Sequence, residues 1–344
     1  MVKIPTRILA LAAATALLLD CGGPPVNPAH PSKGQKTSRG PLAQTWSWDG
    51  VKWSLESAPG PSPRDSAGLA YDEDRHVFVL FGGLTPSGQS DETWIWNGKG
   101  WHAASPEHKP KGRGDPAMAF DSQRHVVVLY GGIVAGRGEG VTGDDTWLWD
   151  GMDWTPAQTG PASPGKREGG RLVATPNGVL LFGGHEDNVK YFGDAWTWDG
   201  KHWLPVGADP SPPGRGDAAV VWDPSRAALF VFGGTGFKAG AGIGGQGLLL
   251  GDSWSLSGAV WTALSGSGPS PTASSIAIWN RAAKRVEILL GRGCPMLPDA
   301  TWAWDGKSWS RLAPPGIPPR WGAAAAQDSA GKALVFGGSD LAGC

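Results

Sequence analysis

The chain has 344 residues, among them 54 Gly, 30 Pro and 20 Trp, and only 18% are charged. Its 30 basic and 31 acidic side chains give a formal net charge of -1 and are spread along the chain, which excludes an electrostatic footprint for nucleic acid or for an anionic bilayer. Beyond the N-terminus no stretch repeats apolar residues at helical spacing over three turns, so an all-β, turn-rich chain is expected.

In chain order, Lys3 and Arg7 come first, then the apolar run Ile8 to Leu19, then Cys21, Gly22 and Gly23. The run is too short to cross hydrocarbon and has the layout of a secretory signal, read here as residues 1–20. Leu17, Leu18 and Leu19 before Cys21 resemble a bacterial lipobox, although Asp20 stands where a small residue is usual. The resemblance implies a lipidated Cys21 and an exported protein that meets the membrane only through its lipid anchor, facing periplasm or cell exterior. Ordinary cleavage without lipid is the alternative. Residues 21–43, with Pro24, Pro25, Pro28 and Pro31, carry no periodic apolar pattern and read as a flexible tether.

From residue 44 to 344 one motif, W-x-W-[DN]-G-x-x-W, recurs with copies starting at Trp46, Trp94, Trp147, Trp196, Trp254 and Trp302. The fifth copy has Leu256 and Ser257 in place of the second Trp and the Asp but keeps Gly258 and Trp261. Asn97-Gly98 or Asp49-Gly50 between apolar segments predicts a two-residue hairpin turn, which would set Trp94 opposite Trp101, Trp46 opposite Trp53 and Trp254 opposite Trp261. A structural role in aromatic layers therefore outweighs a cofactor or sugar-stacking role for these Trp.

Between hairpins a second unit recurs: an Arg, an apolar strand, a turn with Asp or Asn, and an apolar strand ending in Gly-Gly. Arg64 leads to Gly82-Gly83, Arg113 to Gly131-Gly132, Arg167 to Gly183-Gly184, Arg215 to Gly233-Gly234 and Arg320 to Gly337-Gly338. The weak fifth copy has Thr272 for Arg and Gly291-Arg292 for Gly-Gly.

Over residues 44 to 344 these motifs, spaced by 48, 53, 49, 58 and 48 residues, resemble the kelch repeat family, as in the central domain of galactose oxidase. The resemblance implies a six-bladed kelch-type β-propeller with four-stranded blades, in which N- and C-terminal strands share one blade and close the ring. It says little about function, because that scaffold hosts enzymes and binding proteins alike.

Segments after Gly-Gly vary from 10 to 19 residues before the next Trp, and such variation on a rigid scaffold marks a working face. The densest is His185, Glu186, Asp187, Asn188, Lys190 and Tyr191, which offers an acid/base pair or metal ligands, or is a solvated loop. Arg64, Arg113 and Arg215 are weaker candidates for an anionic ligand; Asp65, Asp115, Glu168 and Asp217 follow closely enough to pair with the arginines instead. Cys294 and Cys344 follow successive Gly-Gly equivalents, and export makes a disulfide between them available.

A galactose-oxidase-like copper site needs a Cys–Tyr cross-link and two His, for which Cys294 with Tyr71, Tyr130 and Tyr191 is a poor set, and sialidase S-x-D-x-G-x-x-W boxes are not matched. The expectation is a non-catalytic envelope protein that binds a protein or glycan on the variable-loop face, with no cofactor or metal. The alternative is a periplasmic carbohydrate-active enzyme similar to kelch-type sugar mutarotases and epimerases.

Overall fold

The computed structural model describes residues 40–135, 140–158, 160, 162–187, 189–207, 209–237, 247–289, 291–293 and 300–340. Among them every regular element is a β-strand, and there is no helix. Strands assemble into six four-stranded antiparallel sheets, compatible with propeller blades. The first comprises Gly68–Asp72, Val77–Phe81, Thr93–Trp96 and Trp101–Ala103, hydrogen-bonded in chain order. Four more repeat this order, starting at Ala117–Asp121, Arg171–Thr175, Ala219–Asp223 and Ile276–Asn280. The sixth joins distant parts of the chain: Thr45–Trp48 and Trp53–Glu56 pair with Ala333–Phe336 and Ala324–Gln327.

Second strands such as Val77–Phe81 and Gly178–Phe182 are almost wholly buried, which explains their unbroken apolar runs. Each hydrophobic cluster draws on two sheets. The aromatic residue before Gly-Gly packs edge-on or tilted against the last Trp of the next hairpin: Phe81 on Trp154 at 5.3 Å, Tyr130 on Trp203 at 5.1 Å, Phe182 on Trp261 at 5.3 Å, Phe232 on Trp309 at 5.4 Å and Phe336 on Trp101 at 5.3 Å. Such contacts add about 0.5–1.5 kcal/mol each beyond the area they bury.

The Trp hairpins differ from the predicted register. Trp96 lies opposite Trp101 and Trp94 opposite Ala103; Trp48 lies opposite Trp53. The motif Asn or Asp makes the difference, because its side chain accepts two backbone amides: Asn97 Oδ1 takes those of Lys99 at 3.0 Å and Gly100 at 3.1 Å. This Asx turn holds a four-residue loop, and the pairing moves inward by two residues. In the degenerate fifth copy Ser257 replaces Asp, and it pairs with Val260 across a tighter turn; there Leu256, not Trp254, faces Trp261.

Gly-Gly joins neighbouring sheets. Gly82 and Gly83 have φ of 74° and 98°, and the Gly83 amide donates to the Arg113 carbonyl at 2.9 Å. The same bond runs from Gly132 to Arg167 (3.0 Å), Gly184 to Arg215 (2.8 Å), Gly234 to Thr272 (2.7 Å) and Gly338 to Arg64 (3.0 Å). Side chains there would meet the neighbouring backbone: a Cβ on Gly83 would lie 2.9 Å from the Asp65 carbonyl oxygen.

First strands of all six sheets line a common central passage. One end, here the Gly-Gly end, carries the Gly-Gly pairs and small ribbons such as His185–Glu186 with Lys190–Tyr191. The other, the turn end, carries the turns between first and second strands.

Candidate functional site

The arginines Arg64, Arg113 and Arg215 do not stand open at the passage; each is 1% exposed or less. Nor do they pair with the acids that follow them. Arg113 makes a two-pronged ion pair with Asp145, at 2.6 and 2.9 Å, and donates to the Gly131 carbonyl at 3.1 Å. Arg215 does the same with Asp252 (2.8 and 2.8 Å), and Arg64 bonds Glu92 at 2.5 Å. The acid lies two residues before each motif Trp and also accepts that indole N–H, as from Trp147 to Asp145 at 2.7 Å and Trp254 to Asp252 at 2.6 Å. Burial opposes ionisation of Asp145 and Asp252, but their arginines hold both carboxyls below the usual range. Where Thr272 replaces Arg, Ala300 replaces the acid, so both partners are missing together. Arg320 has the neutral Gln44 at 2.9 Å instead, and burial draws its guanidinium down to about 10.

Freed from the arginines, the acids that follow them gather at the Gly-Gly end of the passage. Just before each first strand stands one residue in the left-handed region: Ser66, Asp115, Gly169, Asp217, Ser274 and Gly322, with φ from 49° to 64°. Backbone bonds link them in sequence. Ser66 N–H donates to Gly322 (2.7 Å), Asp115 to Ser66 (2.7 Å), Asp217 to Gly169 (2.8 Å) and Ser274 to Asp217 (2.8 Å). Non-glycine residues in this conformation cost of order 1–3 kcal/mol each and persist only where their surroundings enforce it, and such strain concentrates at functional sites.

Two adjoining small cavities, of about 130 and 60 Å3, share Ser66, Asp115, Ser274 and Gly322. Arg171 lines the larger and Asp217 the smaller, and the two pair at 3.2 Å. Burial first, then the charge of Asp217, pushes the Asp115 carboxyl up to about 8, against the pull of Arg171. Asp65 is also raised by burial, although Ser339 donates to it at 2.5 Å.

The His185 loop joins this cluster in part. His185 is buried, lies 3.3 Å from Glu168 and stacks on Tyr191 at 5.0 Å, and Tyr191 packs on Phe237 at 4.8 Å. Burial works against the imidazolium, but Glu168, with Asp217 and Asp115 behind it, outweighs that and raises the His185 pKa. Burial, Asp217 and Glu168 push the Tyr191 phenol up to about 12. Asp187 turns elsewhere and accepts the buried Thr142 hydroxyl at 2.6 Å. Glu186 is half-buried in its ribbon.

Sequence reasoning named His185 and Tyr191 but gave Asp115, Asp217, Glu168 and Arg171 no site role. The available signal was an acid one or two residues after successive arginines, at Asp65, Asp115, Glu168 and Asp217. Cys21, Cys294, Cys344 and Asn188 lie outside the described residues. Among the described residues no group of three or more His, Cys, Asp or Glu is arranged to hold a metal ion, and no helix is long and apolar enough to cross a membrane.

The chain matches no protein-family model and no curated protein.

Proposed function

We propose that this chain is a closed, six-bladed kelch-type propeller, exported and held at a membrane by lipid on Cys21, that binds a glycan at the Gly-Gly end of its channel. The kelch assignment is supported by the repeated Trp hairpins and Gly-Gly pairs, and closure by the sheet shared between the chain's two ends. The anchor rests on the Leu17 to Gly23 segment alone; mass spectrometry of the mature N-terminus tests it, and an unmodified chain starting elsewhere refutes it.

One arrangement carries the ligand class: Asp115 lines both mouth cavities, with Asp217 in the smaller and its ion-pair partner Arg171 in the larger, and burial and the charge of Asp217 push the Asp115 carboxyl up to about 8. A protonated carboxyl donates a hydrogen bond, a carboxylate accepts, and the Tyr191–Phe237 pair adds an aromatic edge. Such a set suits a polyhydroxylated ligand better than an extended protein surface. The test is a glycan array screened with the mature protein, its Asp115→Asn and Asp217→Asn variants, and Glu186→Ala as control. Retained glycan capture by both Asp variants, or a protein partner captured in place of any glycan, would overturn this reading.

The same pair favours a second reading, a sugar mutarotase, because two carboxyls lining one cavity can supply the acid and base that ring opening requires. NMR exchange between the anomers of a bound reducing sugar, lost in Asp115→Asn, would select it.

A further inference from the structure

A larger cavity adjoins that site along the same passage, sharing Leu69, Met118, Leu172, Val220, Ala277 and Ala325 with the cavity of about 130 Å3. At the turn end the passage widens to about 810 Å3, against about 130 and 60 Å3 for the two cavities at the mouth. A cavity of roughly 300–1,000 Å3 is the size range of small-molecule sites. Its wall includes Val173, Val220, Val221 and Ala326, which retain solvent exposure although they belong to inner strands. Around this apolar wall stand Tyr71, Phe120, Trp222 and Trp279. Rim polar groups are occupied with one another: Gln327 accepts the Trp279 amide at 2.9 Å and donates to its carbonyl at 2.8 Å, Ser329 bonds Glu73, and Arg281 bonds the Ser329 carbonyl. The rim is therefore preformed, and the space is lined by hydrocarbon and aromatic surface together with Ser122, Thr175 and Ser225.

We propose that the open turn end of the channel, continuous with the acidic mouth but lined there by different side chains, is a second binding site that takes a small aromatic ligand. Concave apolar surface left open to water marks a binding site. The wall is recessed inside a ring of six strands, so a flat macromolecular surface does not reach it, whereas a molecule of one or two rings does. Tyr71, Trp222 and Trp279, each partly exposed, offer stacking and edge contacts that favour rings over flexible chains. The rim carries Arg281 and Lys284 together with Glu73 and Asp328, so its formal charges balance.

The experiment is a fluorescence titration of the folded mature protein with 8-anilinonaphthalene-1-sulfonate, using laurate as the non-aromatic comparison. Saturable binding of one equivalent is expected, weakened at least tenfold by Ala174→Trp or Ala326→Trp, which fill the cavity, and unchanged by Asp115→Asn at the other end. Should either filling variant melt early, Trp222→Leu and Trp279→Leu, which stay apolar but remove ring faces, are expected to weaken binding severalfold. Unchanged affinity in folded filling variants, or dye binding that appears only on unfolding, overturns the site. Tighter binding of laurate than of the dye overturns the aromatic class.

Discussion

The Asp115 amide donates to the Ser66 carbonyl at 2.7 Å, and both residues are held in the left-handed region, with φ of 49° and 53°. This bond joins the starts of two neighbouring sheets and fixes the Asp115 backbone at the channel mouth, beside Asp217, whose charge acts on it.

Stability is expected to fall as pH rises from about 4 to about 8. The folded Asp115 carboxyl, raised to about 8 by burial and Asp217, binds a proton that the unfolded chain has released, so its contribution is lost across that window. His185, raised by Glu168 against its burial, acts in the same direction: its stabilisation is present below the unfolded value and lost as pH climbs through the folded one. Denaturant midpoints across this range, in wild type and in Asp115→Asn, check it. Asn tolerates the left-handed backbone, so a slope as steep in the variant as in wild type would reject the assignment.

Below that window the opposite limb is expected. Glu92, Asp145 and Asp252 are held below the usual carboxyl range by Arg64, Arg113 and Arg215, in spite of burial. They stabilise the fold above the unfolded pKa, and that support is lost as pH falls through the folded values. Asp145→Ala leaves a buried guanidinium and the Trp147 indole without their shared acceptor, at a cost of about 1–3 kcal/mol. Solvent reaches the carboxylate side of the pair, 42% exposed, which keeps the loss below that of a fully buried one. Thermal melting reads this directly, and a neutral result contradicts a structural role for the triad.

Gly151→Ala is expected to destabilise by more than the ordinary 1 kcal/mol of a Gly-to-Ala change in a left-handed turn. Its φ is 102°, and the guanidinium of Arg75, from the neighbouring sheet, occupies the space that a Cβ would take. Arg75 also bonds the Asp150 carbonyl there. The signature is a double-mutant cycle: the Gly151→Ala penalty should shrink in an Arg75→Ala background. Additive penalties would show that the contact carries no energy.

Replacing Glu186 by Ala should change stability by less than about 0.5 kcal/mol, whereas His185→Ala should cost severalfold more. The first is half-buried on a short ribbon, and the second is buried between Glu168 and Tyr191. Treating His185, Glu186 and Asp187 as one exposed loop predicted equal tolerance. Equilibrium unfolding of the single variants separates the two views.

What the sequence determined was everything that depends on short-range repetition. Strand alternation, Gly-Gly pairs and Trp hairpins are each written within about ten residues and recur, so the all-β class and its four-stranded antiparallel sheets were legible. Even locally, the hairpin register was misjudged, because an Asx turn competes with a two-residue turn at Asn97-Gly98 and only pairing against Val77–Phe81 shows which wins.

Tertiary structure decided which acid each arginine meets. Asp115 is two residues from Arg113 in sequence, yet Asp145, 32 positions away, takes the guanidinium because the strand pairing brings it alongside. That choice leaves Asp115 unneutralised by Arg113 at the channel mouth, where its neighbours are Asp217, Glu168 and Arg171 from other repeats. It also set the size of the two ends, since a cavity is the space left by six sheets together and no single repeat encodes it.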